Sequence, residues 1–151
     1  MRVSAKADYA LRAALELARS DDGPVKGERI ATAQDIPLKF LENILLELRH
    51  HGIVSSQRGT VGGYWLARPA EDITLAEVIR AVEGPLANVR GVRPESLDYP
   101  AGTESLRDVW IALRASLRGV LEAVTLADLA AGELPDEIRE RASDPEAWEP
   151  H

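Results

Sequence analysis

Hydrophobic and polar positions repeat along this chain with a helical period over most of its length. Residues 5–19 predict a first helix, with Ser4 as its N-cap and Tyr9, Leu11, Ala14, Leu15 and Ala18 as its apolar stripe. The run SDDGP at 20–24 breaks it. A short helix is predicted over 26–33, then a tight connection at 34–36. Pro37 suits the first turn of a third helix, where its missing N–H has no partner to lose. That helix runs to about residue 51 and stops at Gly52, a natural left-handed C-terminal position. Two helices joined this closely form a helix-turn-helix.

The third helix has two distinct faces. Leu41, Ile44, Leu45 and Leu48 share the side that must meet a core. Lys39, Asn43, Leu46 and His50 lie opposite, flanked by Glu42 and Arg49. A plain surface helix has the same pattern, so the next segment of the chain decides the reading. Two short strand-like runs, 53–57 and 64–67, enclose a loop with Gly59, Gly62, Gly63 and a single cation, Arg58. A helix-turn-helix followed by a hairpin is a winged helix. Glycines permit a close backbone approach to phosphate, and Arg58 is the wing's group for a narrow, electronegative minor groove. The alternative is a structural turn with a solvated arginine.

Beyond the wing, residues 73–85 predict a helix opened by a Thr74–Glu77 capping box and closed by Gly84–Pro85. Residues 85–103 have no clear period and are expected to be a loop. Leu106, Trp110, Leu113, Leu117, Val120 and Val124 then follow at spacings of 4, 3, 4, 3 and 4, an a/d seam. The seam either folds back on its own domain or meets a second copy. Dimerisation is favoured, because helix-turn-helix proteins place two copies on a two-fold site. A short capped helix starts at Thr125. From Glu133 on, seven acids, two arginines and three prolines predict an acidic tail without fixed structure.

The expected fold is therefore mainly α: a winged helix-turn-helix domain with a two-stranded wing, plus a long C-terminal dimerisation helix. Residues 1–84 form the DNA-binding domain and its following helix, 85–103 a loop, 104–132 the dimerisation helix and short terminal helix, and 133–151 the tail.

Charge and composition refine this picture. A net charge of −7 by itself disfavours nucleic acid. It is unevenly placed: residues 1–68 carry ten Lys/Arg against eight Asp/Glu, and residues 69–151 eight against seventeen. Screening over about 8–10 Å lets the first half attract phosphate regardless. No apolar run approaches a membrane span, so a soluble, cytoplasmic chain is expected. There is no cysteine, and the two interior histidines, His50 and His51, are adjacent at a helix end. No metal site, no cofactor and no enzyme are expected. A sequence-independent architectural binder would want a more basic surface. A winged-helix protein–protein adaptor acting through a partner enzyme stays open.

The segments KADYALRAALELA, IATAQDIPLKFLENILLELRHHGIVSSQRGTVGGYWLARP, ITLAEVIRAVEGP and TLADLA together resemble the Rrf-two family of bacterial winged-helix transcriptional regulators. The similarity runs in order from residue 1 to about 131. It implies a homodimer on a palindromic double-stranded DNA operator; repression is the expected outcome because a dimer of this size carries no evident activation region. It places Leu38, Lys39 and Glu42 against base edges, Glu42 for a cytosine amino group and Lys39 for guanine acceptors or a phosphate. Arg58 holds the family's wing-tip position. Lys6, Tyr9, Ser55, Ser56, Gln57 and Gly62 are the implied backbone contacts, while Asn43, Arg49 and His50 are added from the helical wheel alone. Many members hold an iron–sulfur cluster through cysteines in the loop before the long helix, and the loop here has none. The second half is instead similar to the cluster-free branch that includes the repressor of cysteine metabolism. That similarity implies control by a small metabolite or a metabolic enzyme partner, with Arg90, Arg93 and Tyr99 as weak candidates for sensing an anion.

Overall fold

A computed structural model of the chain describes residues 2–150. Met1 and His151, the outer ends of the expected first domain and tail, lie outside the described residues. Seven helices, α1 (Ala5–Ala18), α2 (Gly27–Gln34), α3 (Leu38–His50), α4 (Leu75–Glu83), α5 (Ser105–Leu121), α6 (Leu126–Ala131) and α7 (Asp136–Ser143), accompany strands β1 (Val54–Gln57) and β2 (Gly63–Leu66) among these residues. The architecture is mainly α with a two-stranded antiparallel wing.

The first helix is central. Ser4 caps α1 by accepting from the Ala7 N–H at 3.0 Å. Its buried side is Ala7, Ala10, Ala13, Ala14 and Leu17. Four alanines on one face let neighbouring helices approach closely, and α2, α3, α4 and α6 all pack on α1. From α3, Leu41, Ile44, Leu45 and Leu48 enter this core fully buried, the four residues that its period assigns there. The turn between α2 and α3 closes on Asp35 in the left-handed region, φ 52°. Pro37 is the residue just before α3 rather than part of its first turn.

The wing pairs Val54 with Leu66, Ser55 with Trp65, Ser56 with Tyr64 and Gln57 with Gly63. A further rung, on the other edge of β2, comes from an unexpected place. Val25 exchanges both backbone hydrogen bonds with Tyr64, each 2.8 Å, and so ties the start of α2 to the wing. This rung explains Gly63. At φ 151° its absent Cβ would lie 2.7 Å from the Val25 carbonyl oxygen, so only glycine fits.

Three expectations change here. Val124 does not extend the seam: α5 ends at Leu121, and Val124 is 2% exposed within its own chain. The Leu75 N–H donates to the Val124 carbonyl at 3.0 Å, and the Leu126 N–H to the Ile73 carbonyl at 2.9 Å. The chain thereby returns to α4. Thr74 and Thr125, each opening a capping box, sit side by side as a one-residue bridge. As a result α6 packs on α1 as part of the winged-helix core, not as an extension of α5. The tail is also ordered. Pro135 precedes α7, Asp136 and Glu137 fill its first turn, and Arg139–Asp136 and Arg141–Glu137 pair at helical spacing. Composition suggested disorder, but these local charge pairs favour the helix.

Residues 85–103 form a strap packed along α5. Pro94 and Leu97 are buried, and Val89 and Val92 exchange backbone hydrogen bonds. The Trp110 Nε1–H donates to the Tyr99 hydroxyl at 2.9 Å, and the Arg90 guanidinium lies 5.7 Å from that ring's centre. Along α5 no residue is fully buried. Leu106 is 39% and Val109 55% exposed, while Trp110, Leu113, Leu117 and Val120 are half-buried. Among the described residues no helix is long and apolar enough to cross a membrane.

Candidate nucleic-acid interface

The exposed face of α3 and the wing enclose an open groove of about 480 Å³. Thirteen residues make α3 about 20 Å long at roughly 1.5 Å per residue. Its exposed side carries Leu38, Lys39, Glu42, Asn43, Leu46, Arg49 and His50. A helix with one exposed polar face fits the major groove of B-form DNA, which is about 12 Å wide.

Within the groove itself the fold gathers Glu42, Asn43, Arg49, Ser56, Gln57 and Arg58. Leu38, Lys39 and His50 stay on the same helix face but outside its walls. Arg49 keeps its charge but is oriented, since its Nη1 donates to the Ser56 Oγ at 3.1 Å and ties the end of α3 to β1. Ser55 is half-buried in β1 opposite Trp65. Arg58 is exposed at the end of β1 and takes part in no ion pair among the described residues.

Two expected backbone contacts on α1 are engaged within the protein. Lys6 pairs with Glu47 of α3 at 2.8 Å. Tyr9 is half-buried, edge-on to Phe40 at 5.7 Å and beneath the Arg12 guanidinium. Both therefore brace α3 against α1. Gly62 departs further from expectation. It is buried, its N–H donates to the Gly59 carbonyl at 3.1 Å, and a Cβ there would stand 2.1 Å from the Gln57 carbonyl oxygen. Its missing side chain makes room for the turn, and its own amide is already spent on that closure.

The sequence pattern did not single out Lys26 or Val61, and it gave Leu46 a face but no role. Lys26 Nζ donates to the Gly59 carbonyl at 2.6 Å and holds the wing loop against the start of α2. It precedes its helix, so no periodicity marks it; only the Val25–Tyr64 rung brings it to the wing. Leu46 is 43% exposed inside the groove, an apolar group suited to a thymine methyl. Val61 is the most exposed large apolar side chain of the wing loop.

A sequence profile described as "Rrf2: Iron-dependent Transcriptional regulator" matches residues 3–132. A Mycobacterium tuberculosis H37Rv protein with an inferred role as an HTH-type transcriptional regulator is 50% identical over 150 residues, covering 99% of this chain and 93% of its own. The HTH-type regulator CymR of Bacillus subtilis is 36% identical over 132 residues, covering 87% and 91%. The solved structure of that protein, called the global cysteine regulator, superposes with a TM-score of 0.71 at 34% identity, over 87% of this chain and 98% of its own. IscR of T. potens gives 0.69 at 32% identity, over 100% and 93%. The profile's description names iron, which the donor set here does not suit. The chain has no cysteine thiolate, and among the described residues no three His, Asp or Glu groups gather as a metal site.

Proposed function

The chain belongs to the Rrf2 family of transcriptional regulators, and on that premise we propose that it acts as a homodimeric repressor on a palindromic operator without an iron–sulfur cluster. The observation that carries this reading is the groove between α3 and the wing, where polar groups of both elements converge around Arg49 and Arg58. In this reading Leu38, Lys39 and Glu42 meet base edges, joined by Asn43 and Leu46. Arg58 enters the flanking minor groove. Ser55, Ser56 and Gln57 hold the phosphate backbone, Lys6 and Tyr9 brace α3, and Lys26 positions the wing.

Dimerisation is supported by α5, whose apolar seam from Leu106 to Val120 is never fully covered by its own chain. A second copy crossing there sets the two grooves on one side of a duplex. The regulator works in the cytoplasm, where its operator is. Without thiolates it takes its signal from a small metabolite or a metabolic enzyme partner, a reading in keeping with its likeness to a global cysteine regulator.

A mobility shift with DNA flanking its own coding region tests this reading at two salt concentrations. A shift that survives competitor DNA and is lost in Arg58→Ala, with the dimer intact, supports it. Unchanged affinity in Arg58→Ala would move the function to a protein partner.

A further inference from the structure

A second cavity, about 470 Å³, shares no residue with the α3–wing groove. Three elements build it: Arg80 from α4, Arg93 and Glu95 from the strap, and Arg114 and Arg118 from α5. Pro85 and Leu86 supply an apolar side. Glu95 takes Arg114, and Glu122, at the end of α5, takes both Arg80 and Arg118. Arg93 makes no ion pair among the described residues.

Four guanidinium groups thus face two carboxylates. Both carboxylates are held below the usual range. At Glu95 a backbone hydrogen bond contributes first, then Arg114; at Glu122 Arg80 leads, then Arg118. They remain ionised at neutral pH, so a surplus of two positive charges remains. Guanidinium forks bind carboxylate and phosphate oxygens two at a time. The apolar side favours a carbon-bearing anion over a bare ion.

We propose that this cavity binds a small organic dianion, a phosphate ester or a dicarboxylate, and so fixes the junction between α4 and α5. Arg93 supplies the open fork, while Arg114 and Arg118 exchange part of their glutamate pairing for the ligand. The junction joins the winged-helix core to the seam helix. A ligand that prefers one arrangement of it changes operator affinity by the factor by which operator changes its own affinity. This last step rests on the regulator reading above; the binding does not.

Calorimetric titration of the full chain with glycerol 3-phosphate, and separately with succinate, at fixed ionic strength tests the site. Saturable binding of one probe is expected, weakened about tenfold or more in Arg93→Gln. Arg139→Gln on α7 keeps the wild-type affinity, and Arg93→Lys falls between. The tighter probe identifies the anion class. No saturable heat with either probe, or equal affinity in Arg93→Gln and the wild type, overturns the proposal. Operator titrations with and without the bound probe separate the two ideas. Unchanged DNA affinity rejects the coupling alone, and absent DNA binding with an intact anion titration rejects the regulator reading alone.

Discussion

Replacing Gly62 by alanine puts a methyl group where the wing has no room. The new Cβ would lie 2.1 Å from the Gln57 carbonyl oxygen and 2.7 Å from the Arg58 carbonyl carbon, whereas real contacts of this kind stay above 3.0 Å. Both atoms are backbone, so no side chain can swing aside. The end of β1 must move by about 1 Å, an overpacking strain of about 1–3 kcal/mol. The Gly62–Gly59 hydrogen bond loosens with it. At about 2–4 °C per kcal/mol for a chain of this size, the melting temperature falls by roughly 2–12 °C. The same movement displaces Arg58, the residue next to Gln57. Losing one charge-assisted contact, worth about 1.5–3 kcal/mol, weakens operator binding roughly ten- to hundredfold. Circular dichroism melts and fluorescence anisotropy on a duplex measure the two effects, with Arg58→Ala as the variant that should change only the second. A Gly62→Ala protein that melts and binds as the wild type does would refute this role of the turn.

Val124→Ala, at a buried site beside α4, should cost about 1–3 kcal/mol in chemical denaturation and leave the association state alone. Leu106→Glu, at an exposed seam position, should do the reverse in sedimentation. Glu77 opposes its own burial, but the Thr74 N–H and the Arg68 guanidinium outweigh that penalty and hold its carboxyl below the usual range. Its charge therefore stabilises the fold above the unfolded value of about 4.3 and ceases to as pH falls through the lower folded value. Glu77→Gln keeps a capping-box residue, so its melting deficit should be full at neutral pH and close as acid protonates the folded carboxyl. Gly119 of α5 has open space around its missing Cβ, and Gly119→Ala should add about 0.5–1 kcal/mol in the same melts. A loss of dimer in that variant would place the partner on the wrong face of α5.

Much of this fold is legible in local pattern. The core residues of α3 follow from its 3.6-residue period, and Thr74–Glu77 announces α4 through the bond that a capping box makes. The wing is marked by glycines, although two of them serve internal closure, Gly62 against Gln57 and Gly63 against Val25. What local pattern misses is non-local pairing. Val25 joins β2 through one residue, and Thr125 meets Thr74 from a distant part of the chain. Neither contact has a period, so the seam's apparent sixth residue, Val124, could not be separated from the five before it by spacing. The site divides in the same way. The α3 face follows from its period, whereas Lys26 reaches the wing only through the Val25 rung, and Lys6 and Tyr9 prove to brace α3 from α1. For the tail, composition and local charge spacing pointed in opposite directions, and α7 follows the charge spacing, with pairs at Asp136–Arg139 and Glu137–Arg141.

Selecting duplexes from a random pool with the purified full chain, then sequencing those retained, tests most directly whether α3 and the wing read DNA as a symmetric pair. Enrichment of two inverted half-sites about one helical turn apart is expected, with enrichment lost in Arg58→Ala. Retention of no preferred sequence, or of the same sequences by the Arg58→Ala protein, would contradict it.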